Sequence, residues 1–209
     1  MNKSNVEQII INLKKQYPDA KCSLDFSTPF ELVVAVMLSA QCTDERVNKT
    51  TPTLFKKCKT IEDFANIDIK ELEDIIHPCG FYRNKAKNIK LCANQILNKF
   101  NGEVPSNMDD LLSLAGVGRK SANVILLEVF GIATGIAVDT HCKRISNRLG
   151  ISSEKDPNKI EQDLLKQIDK KYLKDVNHLF IWHGRYTCTA QNPKCNNCVL
   201  KDICTYKKQ

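Results

Sequence analysis

The chain has 209 residues, 42% of them hydrophobic, and 31 Lys and Arg against 24 Asp and Glu leave a formal net charge of +7. That is enough apolar sequence for one large domain or two small ones, and no apolar run is long enough to cross a bilayer as a helix. The first twenty residues carry charges throughout and lack the separate basic, apolar and small-residue blocks of a signal peptide, so an intracellular, cytoplasmic protein with no membrane partner is expected.

In chain order, "MNKSNVEQIIINLKKQYPDA" reads as an amphipathic helix. "PFELVVAVMLSAQ" predicts a strongly apolar helix, entered through the capping hydroxyls of Ser27 and Thr28 and through Pro29. "TIEDFANI", "DIKELEDIIHPCG" and "RNKAKNIKLCANQILNKFNG" follow as short helices that stop at Gly, Pro or Asn. Their apolar residues are spaced by three and four, as at Ile89, Cys92, Ala93, Ile96 and Leu97. "NGEVPSNMDDLLSLAG" is a turn and a short helix, with Ser106 as the expected cap. "DTHCKRISNRLG" and "DPNKIEQDLLKQI" each open on an aspartate suited to a helix start. "ATGIAV" is the one strand-like stretch, and there is no tandem repeat. The expected fold class is all-α, built from many short helices.

Charge is polarised along the chain. Residues 1–118 carry 15 basic and 15 acidic side chains, whereas residues 119–209 carry 16 and 9. The whole excess lies in the second part, which fits a polyanionic partner as well as it fits a solvated basic surface.

Of the ten cysteines, Cys22, Cys42, Cys58, Cys79, Cys92 and Cys142 are scattered through helix-like sequence and read as core-filling thiols. The other four stand in "CTAQNPKCNNCVLKDIC", where Cys188, Cys195, Cys198 and Cys204 are spaced C-x6-C-x2-C-x5-C. Structural zinc more often draws on two paired-cysteine knuckles separated by a longer stretch. One compact run that supplies all four ligands favours an iron–sulfur cluster over zinc. Arg185 and Lys194 beside this run could hold a phosphate backbone, or could simply be solvated.

"LAGVGRKSANVILL", Leu114–Leu127, contains a pattern that superficially resembles a nucleotide loop. A Walker-type loop needs Gly-Lys-Ser/Thr, but Arg119 separates Gly118 from Lys120 and position 113 is serine. A dinucleotide fingerprint needs a preceding strand and a third glycine or alanine where Ser121 stands. Helix, Gly-Val-Gly, helix is instead a tight hairpin. Gly116 and Gly118 permit close approach of a partner, Val117 tucks inward, and the N–H groups at the second helix start, including that of Arg119, form an anion site.

Together "FELVVAVMLSAQCTD", "LAGVGRKSANVIL", "AVDTHCKRISNRLG" and "HGRYTCTAQNPKCNNCVLKDIC" resemble endonuclease III, a family of bacterial DNA glycosylase/AP lyases in the helix–hairpin–helix superfamily. The match runs in order from about residue 5 to the end. The resemblance implies two helical domains with a DNA-binding cleft between them. One is a six-helix domain over 23–132, with its helix–hairpin–helix at about 109–128; the other combines 1–22 with 133–209 and holds a [4Fe-4S] cluster on Cys188, Cys195, Cys198 and Cys204. It implies base-excision repair of double-stranded DNA: removal of oxidised or ring-saturated pyrimidines, then cleavage 3′ to the abasic site by β-elimination. A monomer in the bacterial cytoplasm, nucleoid-associated when on DNA, is implied too.

In that family the lysine just after the hairpin is the nucleophile, which places the role on Lys120. An ordinary lysine, with a pKa of about 10.4, is protonated at neutral pH and cannot attack. A helix N-terminus, the neighbouring Arg119 and exclusion of water by bound DNA all disfavour the cation. Asp139 matches the family's catalytic carboxylate and is also a natural N-cap; the rigid hold of a cap suits electrostatic support of a developing positive charge. Gln41 falls where the family fills the gap left by the flipped base. Phe81 falls where it usually inserts an aliphatic wedge, and a phenyl ring there could stack between bases or belong to the core. Thr140, His141 and Arg144 complete the expected DNA contacts. Ala115 and Ser121 replace the family's usual proline and threonine without removing a reacting atom.

Three other readings share parts of the pattern. A non-catalytic helix–hairpin–helix module with a structural cluster would bind DNA without Lys120 chemistry. The mismatch-adenine branch lacks the nucleophilic lysine and carries a further carboxy-terminal domain, whereas this sequence has Lys120 and ends five residues after Cys204. An electron carrier would leave the hairpin without a purpose.

Overall fold

A computed structural model describes residues 3–206, all of them helix, turn or loop, with no strand among them. The chain divides into two compact units: Ser23–Phe130, and the chain up to Cys22 together with the chain from Gly131 onward.

The contiguous unit holds seven α-helices, one more than the six expected: α2 (Pro29–Ser39), α3 (Asp44–Lys57), α4 (Ile61–Asn66), α5 (Ile69–Ile76), α6 (Tyr82–Lys99), α7 (Met108–Ser113) and α8 (Arg119–Phe130). The other unit contains α1 (Lys3–Gln16), α9 (Thr140–Arg148), α10 (Pro157–Gln167) and α11 (Leu173–Tyr186). "ATGIAV" stays a loop, its Ile136, Ala137 and Val138 buried without strand pairing.

Local chemistry explains most boundaries. Thr28 caps α2 in a reciprocal capping box with Glu31, and Thr60 does the same for α4 with Asp63. Asp68, Asp139 and Asp156 cap α5, α9 and α10 through their side-chain oxygens. The cap of α7 is Asn107, which accepts the Asp110 amide at 2.9 Å, and not Ser106. Asn107 lies three residues before that amide, where a side-chain oxygen reaches the third N–H of the first turn. Two helices give no clean sequence signal. α3 carries Pro52 in its interior, and α11 mixes His178, Trp182 and His183 into its apolar face.

α2 is apolar on every side, and Leu32 through Leu38 are all buried. It packs against α3, α6 and α8, as a helix without a polar face must. Phe30 and Phe55 each meet Phe64 of α4 edge to face, at 5.1 and 6.3 Å between ring centres. Lys90 of α6 staples the end of α4 by donating to the carbonyls of Ala65 and Ile67. In the other unit, Val6, Ile9, Ile10 and Leu13 form one stripe of α1 and pack into a core with Ile145, Ile160, Leu164, Val176 and Phe180. The stripe follows the three- and four-residue spacing of its sequence.

Candidate active site and cluster loop

The hairpin joins α7 to α8 through a turn whose shape is imposed by α6. Gly116 has φ +76°, a conformation that costs an L side chain, and a Cβ there would lie 3.0 Å from the Cβ of Asn88. Gln95, also on α6, accepts the Ala115 amide at 2.7 Å and donates to the Ser113 carbonyl at 3.2 Å. One amide side chain therefore holds both edges of the turn. Gly118 differs from Gly116: a Cβ there meets nothing within 4 Å. No packing inside the protein demands glycine at that position.

Val117 is only 7% exposed, and its N–H donates to the Leu114 carbonyl at 3.2 Å. Its side chain and its amide are therefore both used inside the turn, as the inward tuck of this valine requires, and any contact of residue 117 with DNA falls to the rest of its backbone. The first backbone bond of α8 is Ala122 N–H to Gly118 C=O at 2.9 Å. The amides of Gly118, Arg119 and Lys120 precede it and carry the positive end of the helix dipole. Gly116, Gly118, Arg119 and Lys120 are all exposed. Lys120 is the second residue of the helix.

Gln41 and Phe81 lie in the same unit and share an unusual backbone. Gln41 has φ 53° and Phe81 φ 48°, two of the four described non-glycine residues in the left-handed region. Phe81 is 64% exposed and so is not core. A large apolar ring held out in water on a strained backbone has no packing reason to be there.

In the other unit, Asp139 Oδ1 accepts the Cys142 amide at 2.7 Å and caps α9. Gly184 lets α9 approach α11 closely, since a Cβ at that position would meet His141 Nδ1 at 2.8 Å and Arg144 at 2.9 Å. Burial is the main force lowering the His141 pKa; the Asp139 carboxylate opposes it, and Arg144 and Arg185 add to it. Arg144 donates to the Cys188 carbonyl through Nε at 3.1 Å, and its Nη2 reaches the Gly184 carbonyl at 2.8 Å and His141 Nδ1 at 3.2 Å. Its guanidinium is mostly committed to the protein, which leaves Nη1 for any outside partner. Thr140 and Lys194 are exposed and Arg185 is half-buried.

The four clustered cysteines line one cavity of about 80 Å³, together with Ile145, Leu149, His183, Pro193 and Leu200. Burial pushes the Cys198 and Cys204 thiols up, so a cationic centre is what would hold them as thiolates. Donors already point at the sulfurs: the Leu200 amide reaches Cys198 Sγ at 3.4 Å and Arg148 Nη1 reaches Cys188 Sγ at 3.2 Å. Arg148 also binds the carbonyls of Thr189 and Ala190 at 2.7 and 3.0 Å, bracing the long interval after Cys188. Among the described residues no three His, Cys, Asp or Glu side chains close on a single ion. Four thiols around an apolar cavity, with N–H donors on the sulfurs, fit an iron–sulfur cluster. The sequence pointed to the four cysteines but not to Arg148, which reads there as one more basic residue of a helix.

The profile for HhH-GPD superfamily base excision DNA repair proteins matches residues 34–170, and that for the iron–sulfur binding domain of endonuclease III matches 188–204. A helix–hairpin–helix with a cysteine loop thus defines a base-excision DNA repair protein. Endonuclease III of Synechocystis sp. is 49% identical over 97% of this chain and 92% of its own length. A non-covalent endonuclease III–DNA complex superposes with a TM-score of 0.93 at 43% identity, covering 98% of this chain and 96% of the other. A trapped covalent endonuclease III–DNA intermediate, described as an estranged-adenine complex, matches equally well. The chain belongs to the endonuclease III family, DNA glycosylases with AP lyase activity that carry a [4Fe-4S] cluster. Among the described residues no helix is long and apolar enough to cross a membrane.

Proposed function

We propose that this chain excises oxidised or ring-saturated pyrimidines from double-stranded DNA and cleaves 3′ to the abasic site, with Lys120 as nucleophile and Asp139 as its supporting carboxylate. The observation that carries the reading is the seat of Lys120, exposed two residues after the open Gly118, in the first turn of α8 at the positive end of the helix dipole. A DNA phosphate held by the amides of Gly118 and Arg119 brings the deoxyribose of a flipped nucleotide to that amine. The Lys120 Nζ lone pair attacks C1′, the C1′–base bond breaks, and the base leaves with the bonding electrons and a proton. Loss of the second Nζ proton, with opening of the sugar ring, gives a Schiff base. This withdraws electrons from C2′, so the C2′ proton departs, the C3′–O bond breaks and the 3′ phosphate leaves.

Asp139 Oδ1 is committed to the cap of α9, which leaves its second oxygen to support the positive charge that develops on the sugar. Gln41 fills the space of the flipped base and Phe81 stacks beside it, while Gly116, Arg119, Thr140, His141, Arg144 (through Nη1), Arg185 and Lys194 hold the strands. Cys188, Cys195, Cys198 and Cys204 ligate the cluster, which when bound fixes the loop that presents Lys194. On this reading the domain boundaries follow the two compact units, the enzyme acts as a monomer, and it works in the bacterial cytoplasm on nucleoid DNA.

Borohydride trapping on duplexes that contain single damaged bases tests the reading. Oxidised pyrimidines give a covalent adduct with the natural chain and none with Lys120→Ala. An adduct from the variant, or preferential action on damaged purines, overturns it. Sedimentation of the protein with and without DNA checks the monomer.

A further inference from the structure

Lys85 is 7% exposed, although it stands in the basic stretch "RNKAKNIK". Its ammonium donates to three backbone carbonyls, those of Leu38 at 2.8 Å, Ala40 at 2.7 Å and Cys79 at 2.9 Å. These three bonds use all three of its donors. Leu38 and Ala40 lie at the end of α2, where helix carbonyls lack intrahelical partners and the dipole is negative. Cys79 closes the short 3-10 turn His77–Cys79. Lys85 is therefore a shared cationic cap for two chain ends that are remote in sequence.

The residues just beyond the two ends give the clamp its meaning. Gln41 comes immediately after Ala40, and Phe81 comes two residues after Cys79; both adopt the left-handed conformation. Such a backbone is strained for a residue that carries a Cβ and persists only where the surroundings over-determine it.

We infer that Lys85 is a positioning residue for DNA recognition: its ammonium ties the end of α2 to the 77–79 turn and so presents Gln41 and Phe81 together to the duplex. The inference rests on the reading of Gln41 and Phe81 as the gap-filling and stacking residues. It does not involve Lys120, so it separates recognition from chemistry.

Lys85→Met in the cluster-loaded enzyme removes the three donors with little change in shape. Leu72→Ala, a fully buried position of α5, serves as a control for general destabilisation. Binding is read by anisotropy on a duplex with a tetrahydrofuran abasic site. Displacement of the facing base is read by the fluorescence of 2-aminopurine opposite that site. Lys85→Met is expected to weaken binding by about tenfold and to reduce the 2-aminopurine signal. Single-turnover borohydride trapping at saturating damaged DNA should stay within about threefold, and adding Gln41→Ala and Phe81→Ala should cost little more. Should Lys85→Met not fold, Lys85→Arg keeps the cation but cannot place three donors on the same carbonyls, and is expected to show the same binding defect.

Normal binding by Lys85→Met, or a loss matched by Leu72→Ala at equal stability, overturns the inference. Additive losses in the combined variant overturn it as well. Silent Gln41→Ala and Phe81→Ala variants sink the gap-filling reading and this inference with it. Clear defects in those two beside a silent Lys85→Met sink this inference alone.

Discussion

Asn88 and Gly116 meet so closely that a Cβ on residue 116 would stand 3.0 Å from the Cβ of Asn88, with φ at +76°. The contact seats the hairpin turn against α6. Two positions along, Gly118 is free of any such neighbour and has no positive φ.

The two glycines should therefore fail differently. Gly116→Ala is expected to lower stability by about 1–3 kcal/mol in a urea melt, because strain and crowding add. Gly118→Ala should leave the melting temperature unchanged and weaken binding to abasic-site DNA severalfold, its methyl standing where a phosphate must approach the amides. Equal melts for the two variants would refute the distinction.

Asp139 combines a cap with a proposed chemical role, and substitutions can separate them. Asparagine caps a helix about as well as aspartate, so Asp139→Asn should keep stability within about 0.5 kcal/mol of the natural chain. Asp139→Ala should lose about 1 kcal/mol. Both should slow borohydride trapping by at least about tenfold, since neither offers a charge to the sugar. If Asp139→Asn traps at the natural rate, the residue is a cap and nothing more.

Arg148 touches Cys188 Sγ and two carbonyls of the following segment. Arg148→Met should still fill with iron, but the visible absorption of the cluster should bleach faster under a chelator. Its reduction potential should fall, because a positive charge and a hydrogen bond have been taken from a ligand sulfur. Unchanged bleaching and potential would show the guanidinium to be a surface ornament of the loop.

His141 supplies a pH dependence with a definite sign. Its folded pKa is lowered, chiefly by burial, below the ordinary 6.5. Between the lowered value and 6.5 the unfolded chain binds the extra proton, so stability rises with pH across that window and is lost as pH falls through it. His141→Gln should flatten this part of the stability–pH curve measured by urea melts. A curve parallel to that of the natural chain would remove His141 from the acid limb.

Much of the molecule is local in origin, and the sequence by itself determined that part. Helix starts at Thr28, Thr60, Asp139 and Asp156 follow from one side chain reaching an amide two or three residues on. The cysteine run and the Gly-Val-Gly turn are equally short in range, which is why the cluster loop and the place of Lys120 were legible. Tertiary structure decided whatever depends on residues far apart. Lys85 follows the buried spacing of Ile89, Cys92, Ala93 and Ile96, but only the carbonyls of Leu38, Ala40 and Cys79 make a buried lysine there tolerable. Gln95 and Asn88 shape a hairpin some twenty-odd residues further on, and Gly184 is small because α9 lies against it. Phe81 could have been core or wedge by sequence, since an aromatic side chain serves either. Its left-handed backbone and exposed ring follow from how two remote chain ends are tied together, which no local pattern encodes.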